Sequence, residues 1–305
     1  MQIALFSNLA PQRSQRFFDA IRAKGLPPSF ADLGALEQYL GGQVFERGNS
    51  YLTLWHGEAL AGSMGVVVRE IETKGEVFLT LIYHFTQELD LVLGRLLQEA
   101  YRLMVQAGAT GQTVVKIGVS ASEPVLGEAL ERSGFRRAYR ILNMVRPLGQ
   151  EFGQREELRF EPLTAVNQMA FLSVHNAAFL DSPNGGQLEP AELEQMRLAA
   201  RSPQYLQVGY AGAEAVAILE VDLRGEVGQI QTIGVAPGFQ GRGLGKATVA
   251  HALQVLAQVG AREAHLQVVE VNEPAVALYR SCGFAVDRVV STWYYGPAPG
   301  TAIPV

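Results

Sequence analysis

Gly241, Gly243 and Gly245 alternate with Arg242 and Leu244 in the stretch QGRGLGK, Gln240 to Lys246, which follows the apolar run IQTIGV and the tetrapeptide APGF. Glycines in this pattern take positive φ or let another group approach the backbone closely. A strand, a tight turn and a helix start are written there in one line, and the amides that open such a helix point into the turn. A turn of this kind binds an anion, most simply a phosphate. Two common phosphate-binding motifs do not fit. Lys246 is followed by Ala247, so the GK[ST] pair of a magnesium–triphosphate loop is missing, and the turn comes late in its half of the chain, whereas a dinucleotide fingerprint usually follows the first strand.

The elements that must position this turn follow from periodicity. The opening to about Leu40 reads as helix, with Phe17, Phe18 and Ile21 on one face before the breaker GLPPS. Strands are expected over Tyr51–Trp55, Ala61–Val68 and Glu76–Tyr83, then a helix over Leu89–Gln106 whose apolar face includes Leu93, Leu96, Leu97 and Ala100. Val114–Val119 is a strand, Pro124–Arg132 a short helix, and Gly134–Phe135 leads into a strand ending near Val145. In the second half, helices Val166–Leu180 and Pro190–Ala200 flank the loop DSPNGG. Strands at Gln207–Tyr210, Ala215–Leu223 and Val227–Val235 precede the glycine turn; after it come a helix Leu244–Val259, a strand His265–Val271, a helix Pro274–Ser281 and a final strand.

The halves superpose without gaps from Thr80 on Thr232 to Val119 on Val271, an offset of 152, and Gly134–Phe135 falls on Gly283–Phe284 at an offset of 149. This is an internal duplication, with copies at 1–150 and 151–305 and the junction near residues 152–154. Each copy has hairpins first and a strand–helix–strand crossover later, the α/β signature of a mixed, mostly antiparallel sheet flanked by helices. Under Gln240, Gly243 and Gly245 the first copy carries Glu88, Leu91 and Leu93. A site that needs bare backbone is lost there, so the first copy is expected to hold no cofactor and to serve as support or as a wall for the substrate.

Composition narrows the classes. The net charge of −5 argues against a nucleic-acid footprint, and no apolar run reaches the roughly 20 residues that span a bilayer. The start lacks a basic region followed by an apolar one. The single cysteine, Cys282, excludes an internal disulfide and supplies no metal cluster. A cytoplasmic chain with no membrane and no metal is the expectation. Residues 1–150 carry 15 Lys+Arg against 14 Asp+Glu, residues 151–305 carry 10 against 16, and the acidic half holds the anion turn. A second, cationic ligand such as an amine fits that bias, as does a solvated acidic surface.

IQTIGVAPGFQGRGLGKATVAHAL followed by VVEVNEPAVALYRSCGF resembles the acetyl-CoA-binding core of the GNAT N-acetyltransferase superfamily. The resemblance rests on QxxGxG at Gln240, Gly243 and Gly245 and on NxxAxxLYxxxGF from Asn272 to Phe284. The tandem arrangement is similar to mycothiol synthase-like proteins. The resemblance implies that the amides of Gln240, Gly241, Arg242, Gly243, Leu244, Gly245 and Lys246 cradle the pyrophosphate of CoA. It implies that the strand ending at Ile233, Gly234 and Val235 pairs with the pantetheine arm, that Asn272 hydrogen-bonds the cofactor, and that Tyr279 is the general acid for the departing thiolate. A tyrosine hydroxyl, with a reference pKa of about 10, is protonated at neutral pH and suits that role. Cys282, three residues on, has no adjacent base and reads as buried packing.

Many members of the superfamily carry Glu early in the strand before the turn; here that position is Gln229, which takes no proton. Glu220, Glu270 or a base acting through water remain, and His175 and Asp181 lie in the variable acceptor-binding region. The implied function is transfer of an acetyl group from acetyl-CoA to the amine of a small molecule. The competing reading is a non-catalytic acyl-CoA-binding regulatory or scaffold module, with Gln229 in place of Glu as its feature.

Overall fold

The computed structural model describes residues 1–26, 30–149, 158–183 and 185–301. The predicted junction at 152–154 lies outside them. Two compact units emerge, Met1–Tyr139 with Ser291–Val305, and Arg140–Val290.

In chain order the first copy forms β1 (Gln2–Leu5), α1 (Pro11–Lys24), α2 (Leu33–Leu40), β2 (Tyr51–His56), β3 (Ala59–Val67), α3 (Ile71–Lys74), β4 (Glu76–His84), α4 (Leu89–Gln106), β5 (Val114–Ser120), α5 (Pro124–Arg132) and β6 (Arg136–Pro147). The second forms β7 (Arg159–Pro162), α6 (Gln168–Phe179), α7 (Pro190–Ala199), β8 (Leu206–Ala211), β9 (Glu214–Arg224), β10 (Val227–Val235), α8 (Leu244–Gln258), β11 (Glu263–Val269), α9 (Glu273–Ser281) and β12 (Ala285–Tyr295). β1, α3 and β7 were not expected from the sequence. Each is four residues long, too short to display a period.

In the first unit β1 to β4 pair antiparallel in sequence order, and β5 joins β4 in parallel after the α4 crossover. Ser291–Tyr295 of β12 then pairs antiparallel with Lys116–Ser120 of β5. The α4 side chains Leu93, Leu96, Leu97 and Ala100 are buried against Leu52, Leu54 and Leu79 of the sheet. A second layer is aromatic, with Phe6, Phe17, Phe45 and Tyr51 meeting edge to face at 5.3–6.1 Å.

The second unit repeats the plan. β7, β8, β9 and β10 pair antiparallel, β11 runs parallel to β10 after the α8 crossover, and Ile141–Pro147 of β6 pairs antiparallel with β11. The units therefore divide differently from the duplicated copies. The last strand of each copy is long, 12 residues for β6 and 11 for β12, and the end of each pairs in a sheet otherwise built from the other copy. Alternation along β9 sorts the second core: Leu219 and Val221 face α8 with Val249, Leu253 and Leu256, while Ile218 faces α6 with Phe171 and Val208. Among the described residues no helix is long and apolar enough to cross a membrane, and no group of three or more His, Cys, Asp or Glu is placed to hold a metal ion.

Candidate active site

Two features of β10 and α8 set the site. The parallel ladder between β10 and β11 runs from Val227↔Glu263 to Ile230↔Leu266 and stops. From Thr232 to Val235, β10 pairs on its β9 side, and a register shift between Ile230 and Thr232 marks a bulge at Gln231. The outer half of β10 thus offers free backbone groups on the β11 side, the geometry by which an extended ligand adds to a strand. Gly234 lies in this half. A Cβ there would come within 3.1 Å of Ala178 and Ile218 and 3.3 Å of Phe179, so its bare backbone lets α6 pass close over the strand end.

After Val235 the turn closes on itself. Gln240 Nε2 donates to the Val235 carbonyl at 2.9 Å, and the Gln240 amide donates to the Pro237 carbonyl at 3.3 Å. The predicted cradle therefore loses Gln240 as a free donor, and the residue anchors the turn instead. Arg242 donates to the Gly238 carbonyl at 2.8 Å and lies 5.0 Å over the Phe239 ring. Gly241 and Gly243 have φ of 74° and 84°, the left-handed region, which turns the chain into α8. α8 begins with no side-chain cap and no acidic residue in its first turn. The first helical amide donor with a partner is Ala247, to the Gly243 carbonyl, which leaves Leu244, Gly245 and Lys246 with amides that no helical carbonyl satisfies. A 15-residue helix that ends in uncapped donors, beside a basic side chain, fits a phosphate.

Gly245 has another task. A Cβ there would sit 3.1 Å from Leu278 Cδ2, so the third glycine of the motif lets α8 and α9 approach. Gly245→Val is expected to overpack this contact and cost about 1–3 kcal/mol of stability. Chemical denaturation would register the loss as a lower midpoint.

α9 presents Tyr279. Its ring packs edge to face on Phe284 at 6.1 Å against the core under α8, and its pKa is pushed up to about 12, first by burial and then by the neighbouring Cys282. Tyr279 as a whole is half-buried, and its hydroxyl has no hydrogen-bond partner among the described residues. Asn272 is the N-cap of α9, its Oδ1 accepting from the Ala275 amide at 3.2 Å, so that oxygen is engaged within the protein. Cys282 is buried, its thiol pKa raised by burial and pulled back by Ser281, Lys246 and Arg146. These influences put Lys246, Cys282 and Tyr279 in one electrostatic neighbourhood.

The two carboxylates proposed as base part company. Glu270 is paired bidentately with Arg140, whose Nε donates at 2.8 Å, and that hydrogen bond holds its pKa below the usual carboxylate range. A carboxylate tied in this way is a poor proton acceptor, so Glu270 is withdrawn from that role. Glu220, half-buried on β9, has its pKa raised, chiefly by burial, with Asp222 adding to the rise and a hydrogen bond from Thr232 opposing it. It shares the α6 face of β9 with Ile218 and Asp222, and Gln229 stands directly opposite Asp222 on β10.

His175 stacks with Phe171 and meets Phe179 at a tilt of 41° on α6, and its Nδ1 lies 3.0 Å from Asn176 Oδ1. Asp181 is exposed beyond the helix end. Asn176, which the sequence reading passed over, accepts from the Leu188 amide at 2.9 Å and donates to the Leu188 carbonyl at 3.1 Å, clamping the loop to α6. Thr232 was also passed over. The consecutive polar pair Gln231–Thr232 inside an alternating strand was the available signal for a bulge there.

The first copy differs where the glycines are absent. α4 starts at Leu89, three residues before the equivalent of Leu244, and its first turn holds Asp90, bound by Arg132 at 2.8 Å. Helix fills the place of the turn, and a carboxylate stands where an anion would bind.

A model of the acetyltransferase (GNAT) family matches residues 171–284. The mycothiol acetyltransferase of Thermobispora bispora is 29% identical over 200 residues, 60% of this chain and 66% of that protein, so the match spans just under two thirds of the relative. Two solved structures cover nearly the whole chain. The GCN5-related N-acetyltransferase of Sphaerobacter thermophilus has a TM-score of 0.65 at 18% identity, covering 99% of this chain and 97% of its own. A tandem GNAT protein from the clavulanic acid biosynthesis pathway has a TM-score of 0.62 at 10% identity, covering 99% of both chains. At those identities the likeness is one of fold, and it extends over both copies. QxxGxG on an uncapped helix beside a half-open strand lies inside residues 171–284, the segment of this chain that is similar to the acetyltransferase (GNAT) family.

Proposed function

We propose that the chain transfers an acetyl group from acetyl-CoA to the amine of a small molecule by direct attack on the thioester. The observation that carries this reading is the uncapped first turn of α8 next to the unpaired half of β10, two donor arrays suited to a pyrophosphate and to a pantetheine arm. Acetyl-CoA supplies the activated acyl group. The chain's own residues bind it through the amides of Leu244 to Lys246, with Lys246 adding charge, and order the attack.

Aminolysis needs a neutral amine, and Glu220 takes the proton. Its carboxylate acts only when ionised, so turnover rises with pH through a pKa that burial has lifted and is lost as pH falls through it. Tyr279 addresses the leaving sulfur. A phenol held at about 12 parts with its proton reluctantly, so the hydroxyl acts as a hydrogen-bond donor to charge building on sulfur. The acidic balance of residues 151–305 favours cationic acceptors, and the lone cysteine fits a reducing cytoplasm.

The test is a panel of primary amines with acetyl-CoA, followed by thiol release. Release with at least one amine, lowered about 10²–10⁴-fold in Glu220→Gln with CoA affinity intact, is the expected result. Tight CoA binding with no release for any amine would favour the non-catalytic acyl-CoA-binding module.

A further inference from the structure

Glu220 does not stand alone on β9. Thr232 Oγ1 donates to Glu220 Oε2 at 2.8 Å, and the two residues are direct cross-strand partners. That pairing depends on the bulge. Ile230 pairs with Val221 on the α8 face; in a regular ladder Gln231 would stand opposite Glu220, and Thr232 would turn toward α8. The extra residue rotates Thr232 onto the α6 face, at the point where β10 leaves β11. One irregularity thus opens the strand and delivers a donor to the carboxylate.

We propose that Thr232 is a positioning residue, whose hydrogen bond holds the Glu220 carboxylate in the orientation that takes the acceptor's proton. The inference rests on the acetyl-transfer reading above. A carboxylate on a strand has two free χ rotations and a broad terminal torsion, and one fixed oxygen leaves the other in a defined direction.

The groups that face Glu220 are few. On its own strand Asp222 adds like charge, and Arg224 lies 3.4 Å from Asp222. On β10 the neighbours are the uncharged Thr232 and Gln229, on β8 the paired residue is Leu206, and on α6, packed over both β9 and β10, His175 is the titratable side chain. Asp222 and burial push the Glu220 pKa up, and the Thr232 hydroxyl is the group pulling it down.

The experiment compares wild type with Thr232→Val and Thr232→Ser in the full chain, each labelled with 13Cδ-glutamate, using Glu220→Gln to identify the Glu220 resonance. Thr232→Val is expected to move the Glu220 titration to higher pH, and Thr232→Ser to restore it. In the amine panel the acid limb of the kcat profile should move the same way in Thr232→Val, with turnover at neutral pH lower by about tenfold, CoA affinity unchanged and Thr232→Ser near wild type. A Glu220 titration that stays in place in Thr232→Val overturns the proposal. So does a titration that moves while the kcat profile does not. If Glu220→Gln keeps full turnover, the assignment of the base fails and Thr232 with it. If wild-type protein binds CoA but acetylates no amine, the acetyl-transfer reading is what has failed, whatever the resonance does.

Discussion

Tyr279→Phe is expected to lower turnover about 10²–10³-fold while leaving CoA affinity within a factor of about two. The ring stays, and with it the packing on Phe284 and the core under α8, so the substitution removes one oxygen and little else. That oxygen has no partner within the described protein, so its loss strands no buried donor. The hydroxyl earns its effect only as sulfur gains charge, which is why kcat and kcat/KM should fall together. The acid limb of the pH profile should stay where Glu220 puts it. Stopped-flow thiol release and calorimetric titration of CoA, run on both proteins, check the two halves of the statement. A wild-type rate in Tyr279→Phe would remove the residue from the mechanism.

At Gly243 the expected effect falls on binding. Gly243→Asp should weaken CoA affinity about 100-fold, and Gly243→Asn less than about tenfold. Both side chains tolerate the left-handed backbone that Gly243 occupies at φ 84°, and they are nearly equal in volume. They differ in charge. A carboxylate at the first turn of α8 would take the uncapped amides for itself and repel a pyrophosphate; at an effective dielectric near 20 one such charge costs about 3 kcal/mol at close range. The first copy already shows this arrangement, with Asp90 in the first turn of α4. Calorimetry at two salt concentrations separates the cases, since the Asp variant should narrow its deficit as screening rises. Equal losses in the two variants would mean that space rather than charge sets the site.

Much of this was legible because chemistry and periodicity coincide in the glycine turn. QGRGLGK announced a strand, a turn and a helix start, and the duplication pointed to α4 as the copy without the turn. What the sequence withheld has physical reasons. Single glycines look alike in a string, yet Gly243 supplies a left-handed cap while Gly245 makes room for Leu278, a difference set by a neighbour 33 positions away. The family resemblance implies ligand contacts for the Gln240 amide and for Asn272, and the fold engages each residue in local hydrogen bonds. Glu220 and Glu270 were equivalent on paper. Arg140, 130 residues from Glu270 in sequence, separates them by forming an ion pair that no local pattern announces. Thr232 needed the register, because a bulge changes which face a side chain takes only relative to the strand beside it.

The passage of β12 into the first unit has a consequence during synthesis. Residues 1–139 leave the ribosome with β5 bare along one edge, because its partner, Ser291–Tyr295, is translated more than 150 residues later. The half that begins first therefore closes last. For that interval an unpaired edge rich in Val and Ile is open to any passing strand, a liability that a chaperone or the quick arrival of the C-terminal segment must cover. A chain cut at the midpoint of the duplication would keep that edge for good.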